Sequence, residues 1–137
     1  MIEKRIIGLD EAKKALDAMV AHAGSDASRP VAMAVVDDAG NLVAFAKMDG
    51  TGLSSAAIAI RKAYTSARMS RDSGAWGEWI GKAGIDPAQF GDPQLCVFQG
   101  GICLKSDGRV VGGIGVSGRA AQEDEDIARI GHTAMGI

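Results

Sequence analysis

The sequence predicts an α+β fold, an antiparallel sheet covered by helices, and three observations carry that prediction. Two apolar runs, Val31–Val36 and Leu42–Met48, are separated only by the turn-forming Asp37-Asp38-Ala39-Gly40-Asn41. A second pair of strand-like runs is joined by Lys105-Ser106-Asp107-Gly108, whose Asp-Gly is the strongest short hairpin signal in the chain. Segments with helical spacing stand before, between and after these pairs.

Taken in order, Leu9–His22 reads as an amphipathic helix, with Ala12, Leu16, Met19 and Val20 on one face and Asp10 as its N-cap. Ala23–Pro30 is a polar loop whose proline sets the entry to the first strand. In the second strand Leu42, Ala44, Ala46 and Met48 alternate with Val43, Phe45 and Lys47, so at least one face is buried. Met48-Asp49-Gly50-Thr51-Gly52 ends the hairpin, and a helix runs from Ser54 to Met69. Its Ala56, Ala59, Ile60, Ala63 and Ala67 form a shallow stripe that lets it lie close on a sheet or on another subunit. Ala75–Ala83 is a short helical turn with Trp76 and Trp79 on one face, and Gly84–Pro93 is loop. Leu95–Gln99 and Arg109–Val116 read as strands, the first extending through Leu104. The last helix, Ala120–Met135, turns Ile127, Ile130 or Gly131, and Ala134 inward. It carries Glu123–Asp126 in its first turn, where the positive end of the dipole favours them.

At 137 residues the chain is expected to be one domain, 1–137, long enough for a sizeable core. A net charge of −2 without a basic tract argues against nucleic-acid or membrane-surface partners. The opening MIEKRIIGLDEAKKAL has charges but no apolar signal core, so a cytoplasmic location is expected. Cys96 and Cys103 lack metal-site spacing and are read as reduced packing residues. No metal site is expected: His22 and His132 are the only histidines, and each lies near a helix end without neighbouring ligands. A single axial ligand to haem iron would need only one such side chain.

Gly113-Ile114-Gly115-Val116-Ser117-Gly118 matches GxGxxG after a strand and before a helix. Dinucleotide binding also needs a following parallel strand, and the 19 residues after Gly118 read as helix with four carboxylates where a pyrophosphate would sit. That reading is rejected. Lys62 and Thr65 lie one turn apart, with Ser55 two turns before Lys62; such a lysine can bind a carboxylate, serve as a base if desolvated, or simply face solvent. Asp49 is a turn or cap residue with a general-base role as the alternative. The tryptophans cap a core or close a pocket.

Together, VAMAVVDDAGNLVAFAKMDG (31–50), SSAAIAIRKAYTSARM (54–69), QGGICLKSDGRVVGGIGVSG (99–118) and QEDEDIARIG (122–131) resemble the GlcG/HbpS family, the domain of unknown function 336 found at the C-terminus of PduO-type proteins. The resemblance implies a profilin-like fold, a five-stranded antiparallel sheet between helices (α/β/α), and assembly into homo-oligomers. The family pattern is matched at Asp49, Lys62, Thr65, Gly100, Gly101, Ser117, Gly118 and Asp124, and departed from at Cys103, where proline is usual, and in the aromatic Trp76–Phe90 segment.

Some members bind haem, so the first functional expectation is a small-ligand protein of the haem or tetrapyrrole type. Met48, Met69, Trp76, Trp79 and Phe90 would be its walls and Lys62 its propionate partner. Thr65, Gly100 and Gly101 complete that candidate set. The alternative is a cofactor-free isomerase or hydrolase on a small carboxylate, with Lys62 holding the substrate and Asp49 or Asp124 moving a proton. A third reading is a structural subunit whose small-residue helix only makes oligomer contacts.

Overall fold

The computed structural model describes all of residues 1–137. Strands β1 (Ala32–Asp37) and β2 (Leu42–Lys47) form the first hairpin, β3 (Gly101–Ser106) and β4 (Arg109–Ser117) the second. They join through β1 and β4 into one sheet of order β2-β1-β4-β3, antiparallel throughout, with Ala32 opposite Ser117 and Asp37 opposite Gly112. Helices α1 (Leu9–Gly24) and α4 (Ala121–Met135) cover one face, and α2 (Ser55–Arg68) covers the other. A further helix, α3 (Ser73–Ala83), flanks α2 and β3.

Both hairpins close as their turn residues dictate. Asp37 Oδ1 accepts the N–H groups of Ala39 and Asn41, each at 2.9 Å, and Gly40 takes φ +89°. Asp107 and Gly108 both have positive φ, 51° and 76°, the pairing that a two-residue primed turn requires. Helix α1 starts two residues earlier than an Asp10 cap would have it: Gly8 is the N-cap, and Asp10 sits inside the first turn.

The α+β class stands, but the sheet has four strands where five were expected. Leu95–Gln99 stays outside it because side chains of α2 and α3 take up its backbone groups. The Cys96 N–H donates to Thr65 Oγ1 (2.8 Å), and the Phe98 carbonyl accepts from Ser73 Oγ (2.6 Å). Gly100, at φ +128°, then turns the chain into β3.

Alternation along the strands sorts side chains by size. Met33 and Val35 of β1, Ile102 and Leu104 of β3, and Ile114 and Val116 of β4 pack under α1 and α4. Gly131 lets α4 settle onto Met19 of α1, whose sulfur would lie 2.8 Å from any Cβ there. The opposite face holds Ala32, Ala34 and Val36 against Ala59, Ala63 and Ala67. There Gly113 and Gly115 touch the helix backbone itself; a Cβ on either would overlap the carbonyl oxygen of Ala63 or Ala59. The glycines of the GxGxxG match thus serve close helix–sheet packing.

Candidate functional site

Because α2 lies so near β4, its one inward-pointing cation is carried to the end of the sheet. Lys62 is only 3% exposed; its Nζ donates to the Val116 carbonyl at 2.8 Å and to Asp124 Oδ2 at 3.3 Å. A buried ammonium is costly unless paired and hydrogen-bonded, and these two oxygens pair it. Gly100 makes room: a Cβ there would stand 2.7 Å from Nζ.

Asp124 is itself buried on the first turns of α4, with Oδ1 accepting the Arg119 N–H at 2.9 Å. Burial pushes its carboxyl above the usual range, against the opposing pull of the Arg119 N–H, the Lys62 ammonium and the Gly118 N–H.

Above this pair opens a hollow of about 340 Å³, walled by Ser54, Ser55, Ser117, Gln99 and Arg119, with Ile58, Phe98 and Ala121 its apolar members. Two helices begin at its edge. Neither Ser54, the N-cap of α2, nor Ala120, the N-cap of α4, gives a side-chain cap, so their first-turn N–H groups lack that partner. The first turn of α2 has no acid, while in α4 Glu123 pairs with Arg29 and Asp124 with Lys62. The dipole ends, the ammonium and the serine hydroxyls suit an anionic, oxygen-rich group.

Arg119 shapes the rim. Its Nη2 donates to the carbonyls of Ala23 (3.0 Å) and Asp26 (3.1 Å), and its Nε to that of Arg29 (2.8 Å). The loop after α1 is thereby tied to the start of α4.

Of the residues singled out from sequence, the structure brings together Lys62, Asp124, Gly100 and Ser117, with Ser55 two turns along. Gly101 lies under α2 and α3, where a Cβ would meet Ser66 Oγ at 2.5 Å and Ser73 Oγ at 2.7 Å. Thr65 is spent on the Cys96 N–H. Met69 is the C-cap of α2. Trp76 is buried, edge-on to Phe90 at 5.5 Å; Trp79 is exposed beneath the Arg71 guanidinium at 5.0 Å. Asp49 occupies the exposed turn after β2, and Met48 accepts the Val31 N–H through its sulfur at 3.3 Å. Neither these residues nor His22 and His132 line the hollow.

Arg119, Ser54 and Gln99 were not anticipated. Their signals were present as Ser54-Ser55 at a helix start two turns before a lysine, and as Ser117-Gly118-Arg119 between strand and helix.

Residues 7–133 match the family model described as "Haem degrading protein HbpS-like". A 15.0 kDa protein encoded between dhaT and dhaS in Citrobacter freundii is 31% identical over 124 residues, 89% of this chain and 87% of that protein. Among solved structures, a double mutant of Streptomyces reticuli HbpS superposes with a TM-score of 0.88 at 31% identity, over 100% of this chain and 92% of that one. A PduOC:heme complex superposes with a TM-score of 0.83 at 25% identity, over 94% of each.

Proposed function

The chain belongs to the HbpS-like family, and we propose that it is a small-ligand-binding protein that takes a carboxylate in the hollow above Lys62 and Asp124. One observation carries this reading: a buried ammonium forms the floor of an open hollow flanked by two helix N-termini. Two of its three N–H bonds are engaged within the protein, which leaves a third to be offered to a ligand oxygen. The serine hydroxyls on the walls supply further donors.

Haem is the ligand of this class that the family and the PduOC:heme likeness support. The residues fit its carboxylates: Lys62 and the serines would hold a propionate, and Ile58 and Phe98 would meet the edge of the ring. They do not fit its iron, since no His, Cys, Met or Tyr lines the hollow. Exposed Leu53 and Phe98 beside the opening support assembly with further copies of the chain.

Titration with haem followed in the Soret region tests this. A shifted band that saturates at one haem per chain is expected, with affinity lowered about tenfold or more in Lys62→Met, the loss of one charge-assisted hydrogen bond. A flat titration removes haem from the ligand class.

A further inference from the structure

We propose that the Lys62–Asp124 pair is also a proton-transfer centre whose substrates are compact 2-oxo carboxylates. This rests on the carboxylate-binding reading and adds a reaction to it. Three features of the hollow lead there.

The first is its division of labour. The start of α2, with Ser54 and Ser55 and no acid in its first turn, suits a carboxylate; the floor offers an ammonium and a carboxylate side by side. A ligand with a carboxylate next to a carbonyl can offer its carbonyl oxygen to the N–H of Lys62 that no protein group engages. The second is composition. With Ile58, Phe98 and Ala121 the only apolar members of the lining, most of the side chains around the hollow can meet the oxygens of a small acid.

The third is how the pair is held. The short bond of Lys62 goes to the Val116 carbonyl at 2.8 Å, whereas Asp124 Oδ2 stands back at 3.3 Å. Asp124 Oδ1 is fixed by the Arg119 N–H. The second oxygen is thus left with only a long bond to Lys62, and Asp124 lines the hollow. Burial, which raises the affinity of this carboxyl for a proton, makes it a better base than an exposed aspartate.

The step balances without a co-reactant. An Asp124 oxygen takes a proton from C3 of the bound 2-oxo acid. The C–H electron pair becomes the C2–C3 double bond, and the carbonyl π pair moves onto oxygen as an enolate stabilised by the Lys62 ammonium. Return of a proton from Asp124 to C3 regenerates the ketone. Entry of the proton at oxygen instead leaves the enol.

The probe is 2-oxobutanoate in D2O, with deuterium at C3 followed by proton NMR and binding followed by calorimetry. The expected result is exchange at least about 100-fold faster than in the protein-free buffer, the lower end of what a positioned base supplies. In Asp124→Asn, exchange should fall to near the blank while the acid still binds; in Asp124→Glu, which keeps a carboxylate, part should return. Binding without exchange in the unaltered protein overturns the inference and leaves the carboxylate site standing. Absence of binding overturns the inference, while the haem titration decides the carboxylate site separately. Full exchange in a folded Asp124→Asn chain removes Asp124 as the base. If that variant does not fold, exchange by the unaltered protein and by Asp124→Glu decides the question.

Discussion

The two faces of the sheet are held in opposite ways. Toward α1 and α4, sixteen buried residues interlock, and branched and methionine side chains set the distance between layers. Toward α2 the buried cluster is six small residues, and helix backbone meets strand backbone over Gly113 and Gly115. Side-chain packing can relax around a lost methyl group, whereas backbone packing cannot accept a gained one. The thin face is also the one that carries the site. Close approach brings Lys62 within hydrogen-bond reach of the Val116 carbonyl, so the rigidity of that contact holds the ammonium in place.

The largest effect that would break this contrast is on the thin face. Gly115→Ala should cost about 3 kcal/mol or more, because its Cβ would overlap the Ala59 carbonyl and lie 2.5 Å from the Ala63 nitrogen. On the thick face, Ile114→Val, one residue away, should cost only about 1 kcal/mol. Urea denaturation of both variants measures the difference; equal costs would refute the distinction between the faces.

A smaller effect concerns the proton held by Asp124. Its folded-state pKa is raised by burial, so between the ordinary value of 3.8 and that raised value the native state binds more protons than the unfolded one. Stability attributable to this group is therefore greatest below the window and falls as pH rises through it. Urea midpoints taken across this range should fall more steeply with rising pH in the unaltered protein than in Asp124→Asn. Parallel curves would show that the carboxyl is not perturbed.

The smallest effect leaves stability alone. Cys103 faces α3, and its backbone N–H is held by Asp72 at 2.9 Å. Burial pushes its thiol up to about 11. At pH 8 a maleimide or disulfide reagent should modify it roughly 100-fold more slowly than a free cysteine, as the lower thiolate fraction requires. Reaction at the free-cysteine rate would show that the thin face opens.

Much of the architecture was legible because it is written in local chemistry. Asp37–Asn41 and Asp107-Gly108 specify turns through their own backbone preferences, and the alanine stripe of α2 announces a close contact. The extra strand was read from apolar character alone at Leu95–Gln99. Pairing there depends on which backbone groups Thr65 and Ser73 have already taken, 31 and 25 residues away in the chain. Lys62 drew attention by type and spacing, yet its spacing on α2 also allowed a solvated face.

By itself, then, the sequence determined the helices, the two hairpins with their turns and the small residues that let α2 approach the sheet, but not that Leu95–Gln99 stays outside it. Those follow from φ/ψ preference and periodicity within a few residues. The tertiary structure alone decided that Lys62 is buried and that Asp124, 62 residues on, is its partner. It also decided that Asp49, Thr65 and the tryptophans stand away from the hollow. A pocket is made by segments distant in the chain, and what each side chain meets there depends on how the layers stack.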